Sequence, residues 1–208
     1  MIIAETEHLR LRDFTEADIP KRVEWELTDR EWQNWDGPWV FEGMSEEEHL
    51  RRAENMKRTL KDFARMHAEK RDTDPRFAFQ IETKDGGEYI GHISCYCIDE
   101  DFNPTDEEGH YAFGISIIPV TFRGRGYGCE ALRAAAEVLA KQGLKEMYVQ
   151  TWSGNLPMIG LAEKLGFREV CRKKGIRTVR GRKYDALTFR KVLERDRNSG
   201  ENQKTSKE

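Results

Sequence analysis

No run of about 18 apolar residues occurs anywhere in this chain, so a membrane-spanning helix is excluded by sequence. The start, Met1-Ile2-Ile3-Ala4-Glu5-Thr6-Glu7, lacks the basic and apolar regions of a secretory leader. Cysteines number only four, at 95, 97, 129 and 171, with no Cys-x-x-Cys pair and no Cys/His spacing of a zinc site. A disulfide scaffold is therefore not expected either. His8, His49, His67 and His92 have no mutual spacing that holds a metal, and none is assigned. Nor does one sign of charge dominate: 35 basic and 38 acidic side chains leave −3, so the whole molecule has no field to attract a polyanion. A cytoplasmic location without membrane contact is therefore the expectation.

Hydrophobic residues make up 38% and charged residues 35%, the composition of a heavily charged globular domain rather than a disordered chain. The expected organisation is one α+β domain over residues 1–194 and a polar tail over 195–208. The small net charge hides a division. Residues 168–197 hold twelve Lys/Arg against four Asp/Glu, a local +8, while residues 1–167 carry −11. A dense acidic run lies at Asp99–Glu108.

Alternation of polar and apolar residues predicts strands over 8–12, 76–82, 89–98, 111–118, 147–152, 167–174 and 183–192. Asp85-Gly86-Gly87 reads as a hairpin turn. A helix is expected after Thr15-x-x-Asp18, fading near Asp29. A longer one follows the capping box Ser45-x-x-Glu48. On it, Leu50, Ala53, Leu60, Phe63, Ala64 and His67 share one face. The clearest helix spans 128–142, ended by Gly143, and a short one spans 156–165, with Pro157 in its first turn. The aromatic stretch 32–43 reads as an ordered loop.

The most informative segment is Arg123-Gly124-Arg125-Gly126-Tyr127-Gly128, where a strand runs into three glycines and then a helix. Glycine admits positive φ and close backbone approach. The unpaired first amides of a helix, with its dipole, favour an anion. Such a loop suits a pyrophosphate, although many similar turns bind nothing. No Gly-Lys-Ser/Thr follows, which excludes a Walker loop. The loop also comes after several strands, too late for a dinucleotide fold.

A second segment narrows the reading. Asn155-Leu156-Pro157-Met158, followed by Lys164-Leu165-Gly166-Phe167, resembles the Asn-x-x-Ala/Ser…Gly-Phe segment of the GNAT superfamily of acetyl-CoA-dependent N-acetyltransferases. The glycine loop matches that superfamily's Arg/Gln-x-x-Gly-x-Gly/Ala signature. The opening Leu9-Arg10-Leu11-Arg12-Asp13-Phe14-Thr15-Glu16-Ala17-Asp18 is similar to the branch of ribosomal-protein N-terminal acetyltransferases (RimJ/RimL-like). The resemblance runs over residues 7–193. It implies a GNAT fold: a mixed, mainly antiparallel sheet of six to seven strands flanked by about four helices.

It also implies acetyl-CoA as cosubstrate, no metal, and direct attack of a primary amine of a small molecule or protein N-terminus on the thioester. Strands 111–118 and 147–152 should splay. Backbone near Ile117 and Ile118 would then meet the thioester, Arg123, Gly124, Arg125, Gly126, Tyr127 and Gly128 the pyrophosphate, and Asn155 the cofactor arm. The chain departs from the family at Ala112, Ala162 and Met158, so the usual acid and base positions are not carried over. One extra residue between Gly114 and Arg123 predicts a bulge at the strand–loop junction. As substitutes, Glu108 or His110 would accept the amine's proton, and Tyr148 or Ser153 would donate to the thiolate. The alternative reading of all four is ordinary loop-edge or packing residues. If catalysis were lost, the chain would be an acyl-CoA-binding sensor.

Three further features bear on partners. The tryptophans at 25, 32, 35 and 39 read either as an aromatic wall for the acceptor or as packing. The acidic run would favour a cationic acceptor such as a polyamine, aminoglycoside or basic peptide, or is a solvated loop. The basic stretch 172–183 lacks aromatic interleaving and any nucleic-acid motif, so nucleic acid is disfavoured. The resemblance also carries the expectation of a homodimer.

Overall fold

The computed structural model describes residues 1–193; the expected tail at 195–208 lies outside the described residues. The described residues form nine strands and five α-helices in one sheet-centred architecture. The strands are β1 (Ile2–Glu5), β2 (Leu9–Arg12), β3 (Phe79–Thr83), β4 (Tyr89–Ile98), β5 (Pro104–Thr105), β6 (His110–Ile117), β7 (Glu146–Trp152), β8 (Arg168–Val179) and β9 (Arg182–Val192). The helices are α1 (Ile19–Leu27), α2 (Pro38–Phe41), α3 (Glu46–Ala68), α4 (Tyr127–Lys141) and α5 (Leu156–Lys164). Strand order is β1-β2-β3-β4-β6-β7-β9-β8, with β5 paired to β4. Every pairing is antiparallel except β6 with β7.

The sheet has two strands more than the seven expected. β1 and β5 each pair with one strand; Ile2-Ile3-Ala4-Glu5 does not alternate polar and apolar residues, and β5 has only two residues. The segment expected as an ordered loop also has regular turns: a 3₁₀ turn at Arg30–Asn34 and the four-residue α2. Pro38 pre-sets the first turn of α2 after Gly37, whose φ is +66°.

Ser45 opens α3 as its sequence predicts. Its hydroxyl accepts the Glu48 amide at 3.3 Å, and Glu48 accepts the Ser45 amide at 2.7 Å. The buried face of α3 is His49, Ala53, Leu60, Ala64 and His67. Leu50 is instead exposed, because the helix phase set by its neighbours turns it one residue past the buried stripe.

The main core lies between one sheet face and α4. Phe113 of β6 sits opposite Cys95 of β4 and Val149 of β7, and Val149 opposite Phe189 of β9. Against this row α4 places Leu132, Ala135 and Leu139, each at most 1% exposed. Their i, i+3, i+7 spacing makes one stripe. A smaller core joins Phe14 and Ile19 to Leu60 and Ala64 of α3.

The feature that positions the site is in the middle of the sheet. β6 pairs with β7 only at Ala112↔Tyr148 and Phe113↔Val149. Beyond Phe113 the two strands separate, while β6 stays in register with β4 through to Ile117. The extra residue expected to bulge is absorbed without a break in that register, by a 3₁₀ turn at Val120–Phe122.

Candidate active site

A cleft of about 720 Å³ opens where β6 and β7 part. Gly114–Ile117 of β6 form one wall and Gln150–Trp152 of β7 the other. The glycine loop and the start of α4 line one end; Trp32, Trp35, Asp36 and Trp39 line the other.

Backbone geometry makes one wall reactive toward polar ligands. The Ile118 amide donates to Ile90 O at 2.9 Å, toward β4. Successive amides along a strand alternate edges, so Ile117 turns toward the gap left by β7. The Ile117 amide therefore faces the gap, whereas Ile118, predicted beside it, has its amide occupied and does not line the cleft. At the loop, Gly124 and Gly126 have φ of +72° and +89°, with nothing within 4 Å of a Cβ built on either. A ligand can approach this backbone closely. Gly126 caps α4, leaving the first amides of that helix without intrahelical partners. Gly128 answers a different need. A Cβ there would lie 2.9 Å from Leu161 Cδ1, so its absence lets α4 and α5 close together.

Arg123 and Asn155 act as struts on the cleft wall. Arg123 Nε donates to Ile117 O at 2.8 Å and its Nη2 to Ile118 O at 2.7 Å, while Nη1 pairs with Glu31. Its charge is thus neutralised by Glu31, and its contribution to an anion site is through the backbone. Burial raises the Glu31 pKa, but hydrogen bonds from the Trp35 indole and Arg123 outweigh it and hold the carboxyl below the usual range. Asn155 accepts the Met158 amide at 3.2 Å, capping α5, and donates to Trp35 O at 3.1 Å. Trp152 Nε1 donates to the same carbonyl at 2.9 Å. Two side chains from the β7–α5 edge thereby fix the aromatic segment over the cleft. Arg125 is exposed, lies over the Phe122 ring and does not line the cleft.

The four predicted acid–base residues are not brought to this cleft. Glu108 is exposed in the loop before β6. His110 begins β6, facing Glu100 and Glu146 at 3.4 Å each. It is six residues from Ser116, or about 20 Å along an extended strand. Tyr148 is 4% exposed and donates to Glu146 at 2.8 Å. Burial and that neighbouring carboxylate push its pKa up to about 12. Ser153 instead ties β7 to β9, its hydroxyl accepting the Asp185 amide at 3.0 Å. Strand alternation identifies the face but not the end at which the strands separate. None of the acidic residues at 99–108 lines the cleft.

Asp36 was missed by sequence reasoning. It stands between Trp35 and Gly37, and Ser116 Oγ donates to its Oδ2 at 3.3 Å. The cleft walls raise its pKa by desolvation, against the opposing effects of Ser116, Arg22 and Arg52. The only local signal was an acid inside a tryptophan-rich turn. Among the described residues no cluster of three His, Cys, Asp or Glu could hold a metal, and no helix is long and apolar enough to cross a membrane.

A splayed sheet beside a glycine-walled helix N-terminus defines an α+β fold whose cleft suits an anionic ligand. The acetyltransferase (GNAT) domain family matches residues 8–168, and the chain belongs to that family, whose members carry out acetyl-CoA-dependent acetylation. Its fold is shared by the acetyltransferase that modifies the N-terminal serine of 50S ribosomal subunit protein L7/L12 from Salmonella typhimurium. The identity is 16%, the coverage 93% of this chain and 100% of that one, and the TM-score 0.66. The ribosomal-protein-S5-alanine acetyltransferase from Vibrio fischeri is similar at 18% identity, 92% and 96% coverage, and TM-score 0.67. The microcin C7 self-immunity acetyltransferase, solved with acetyl-CoA and AMP, gives 13%, 90% and 94%, and 0.63. A sequence search of curated proteins finds no significant match.

Proposed function

We propose that this chain transfers the acetyl group of acetyl-CoA to a primary amine, of a small molecule or a protein N-terminus, by direct attack. The observation that carries this reading is the two-residue β6–β7 pairing that opens into a cleft against the α4 N-terminus. Amides from Gly124 to Gly128 would hold the pyrophosphate, where the helix dipole favours negative charge. The Ile117 amide would donate to the thioester oxygen as it gains charge. The amine nitrogen bonds to the thioester carbon, the C–S bond breaks, and the departing thiolate takes a proton through solvent in the open cleft. Ala112 and Ala162, the positions that motivated a sensor reading, are fully buried and outside the cleft lining, so no observation favours the sensor. A cytoplasmic location and a homodimer are carried forward, the latter as a point for sedimentation equilibrium.

Gly126→Trp tests the cosubstrate assignment. A side chain at φ +89° strains the loop and fills the backbone approach. Acetyl-CoA binding followed by calorimetry should be abolished; an unchanged affinity would overturn the assignment.

A further inference from the structure

The cleft is lined by two carboxylates, Glu31 and Asp36. Glu31 is neutralised by Arg123. Asp36 has no cation within ion-pair distance among the described residues; its one hydrogen-bond donor is Ser116 Oγ at 3.3 Å. The charged and titratable groups around it come from four elements: α1, α3, β4 and its own segment. On β4, His92 stands in register with Ser116, and burial and Arg22 hold its pKa well below the usual imidazole range. Arg22 on α1 is engaged with the Tyr89 hydroxyl at 3.4 Å, and Arg52 on α3 with Glu26 at 2.6 Å. On β4, Tyr96 donates to Gln150 at 3.0 Å and has its own pKa pushed up to about 12, chiefly by burial. Glu31 lies five residues earlier on the same segment as Asp36.

Asp36 is exposed to the open cleft and carries no ion pair among the described residues, so a cation can reach it without displacing a protein partner, and the surroundings indicate what else that cation would meet. Trp32 donates its indole N–H inward to Trp25 O and Trp35 donates its own to Glu31, so both N–H groups are engaged and both residues line the cleft. Ser116 belongs to β6, one residue before Ile117. A cation held at Asp36 therefore sits beside the position where a thioester would lie.

Resting on the acetyltransferase reading, we infer that Asp36 receives the acceptor's ammonium group and takes one of its protons, so that the acceptor is a cationic primary amine with an apolar flank against Trp32 and Trp35. The step balances: R–NH₃⁺ gives one proton to the Asp36 carboxylate, which passes it to solvent. The free amine attacks the thioester carbon, and a second N–H proton reaches the departing thiolate. Ser116 is a positioning residue that orients the carboxylate.

The test is acetyl transfer by the whole protein to 2-phenylethylamine and to an alanyl dipeptide amide, followed by thiol release across pH. Asp36→Asn should keep wild-type affinity for acetyl-CoA by calorimetry and lose about 10²-fold or more in kcat near neutral pH. Its remaining rate should climb with pH toward the amine's own pKa, where the free amine supplies itself. Ser116→Ala, which removes the donor that stabilises the charged form, should move the acidic limb to higher pH. Wild-type turnover with an Asp36→Asn variant of equal kcat, or an acidic limb unmoved in Ser116→Ala, overturns the role of Asp36 alone. Acetyl-CoA binding with no thiol release on any amine overturns the transferase reading with it.

Discussion

Asp13 is 4% exposed, and it receives Arg76 Nε at 3.3 Å, His67 Nδ1 at 3.1 Å and the Met1 amino group at 3.6 Å. Burial pushes its pKa up, but hydrogen bonds from Arg76 and His67 outweigh that and hold it below the usual carboxylate range. A depressed carboxyl stabilises the fold above its unfolded pKa, and that stability is lost as pH falls through the folded value. The stability gap between wild type and Asp13→Asn should therefore narrow as urea denaturation is moved below about pH 4; a gap that widens there contradicts the ion pair. Arg76→Ala removes the buried guanidinium from Asp13, leaving it only His67 and the Met1 amino group, and should cost about 3 kcal/mol, by the same measurement. The glycine loop was legible at this scale because consecutive residues carry its chemistry. Asp36 was not. Its partner Ser116 is 80 residues away, and only the folded chain brings them together.

Gly91 shows what an element needs beyond its pattern. It pairs with Ile117 across β4 and β6, and a Cβ there would fall 2.0 Å from Ser116 O. The β3–β4 register also shifts beside it, between Ile81 and Glu82. Gly91→Ala must push the strands apart or distort them. It should cost about 1–3 kcal/mol, with thermal unfolding lowered by roughly 2–12 °C; an unchanged Tm would show that the strands are not held this closely. The bounds of β4, the capping box of α3 and the α4 stripe were legible because each rests on local periodicity or a cap. β1 and β5 were not, since Ile2-Ile3-Ala4-Glu5 does not alternate as the equally short β2 does, and a two-residue strand exists only through its partner. The face of β6 was readable from alternation, but the end at which it opens was not. That depends on where β7 stops pairing, 36 residues later in sequence from Ala112 to Tyr148.

Across the whole molecule, the charge division takes a different meaning from the one its sequence suggested. The acidic run at 99–108 does not line the cleft, so none of its carboxylates touches an acceptor held there. The basic β8–β9 hairpin instead packs on the aromatic segment: Arg177 lies 4.4 Å from the Trp39 ring, and the Arg180 amide donates to Glu42 at 2.9 Å. Arg177 on the Trp39 ring and the Arg180 guanidinium donating to Asn34 hold that segment in place; Asp36 is the cleft carboxylate without an ion pair among the described residues. Fold and family were legible because the glycine loop and the Asn155 segment stand in order along the chain. The acceptor side was not, because a three-dimensional meeting of α1, α3, β4, β6 and a short turn builds it.

The central claim is that this cleft performs acetyl transfer to an amine. It is tested most directly by following thiol release from acetyl-CoA, with the intact protein, over a panel of small amines, polyamines, aminoglycosides and N-terminal peptides. The account predicts release that depends on a cationic primary amine and saturates with it. Tight acetyl-CoA binding with no release on any member of the panel would contradict it.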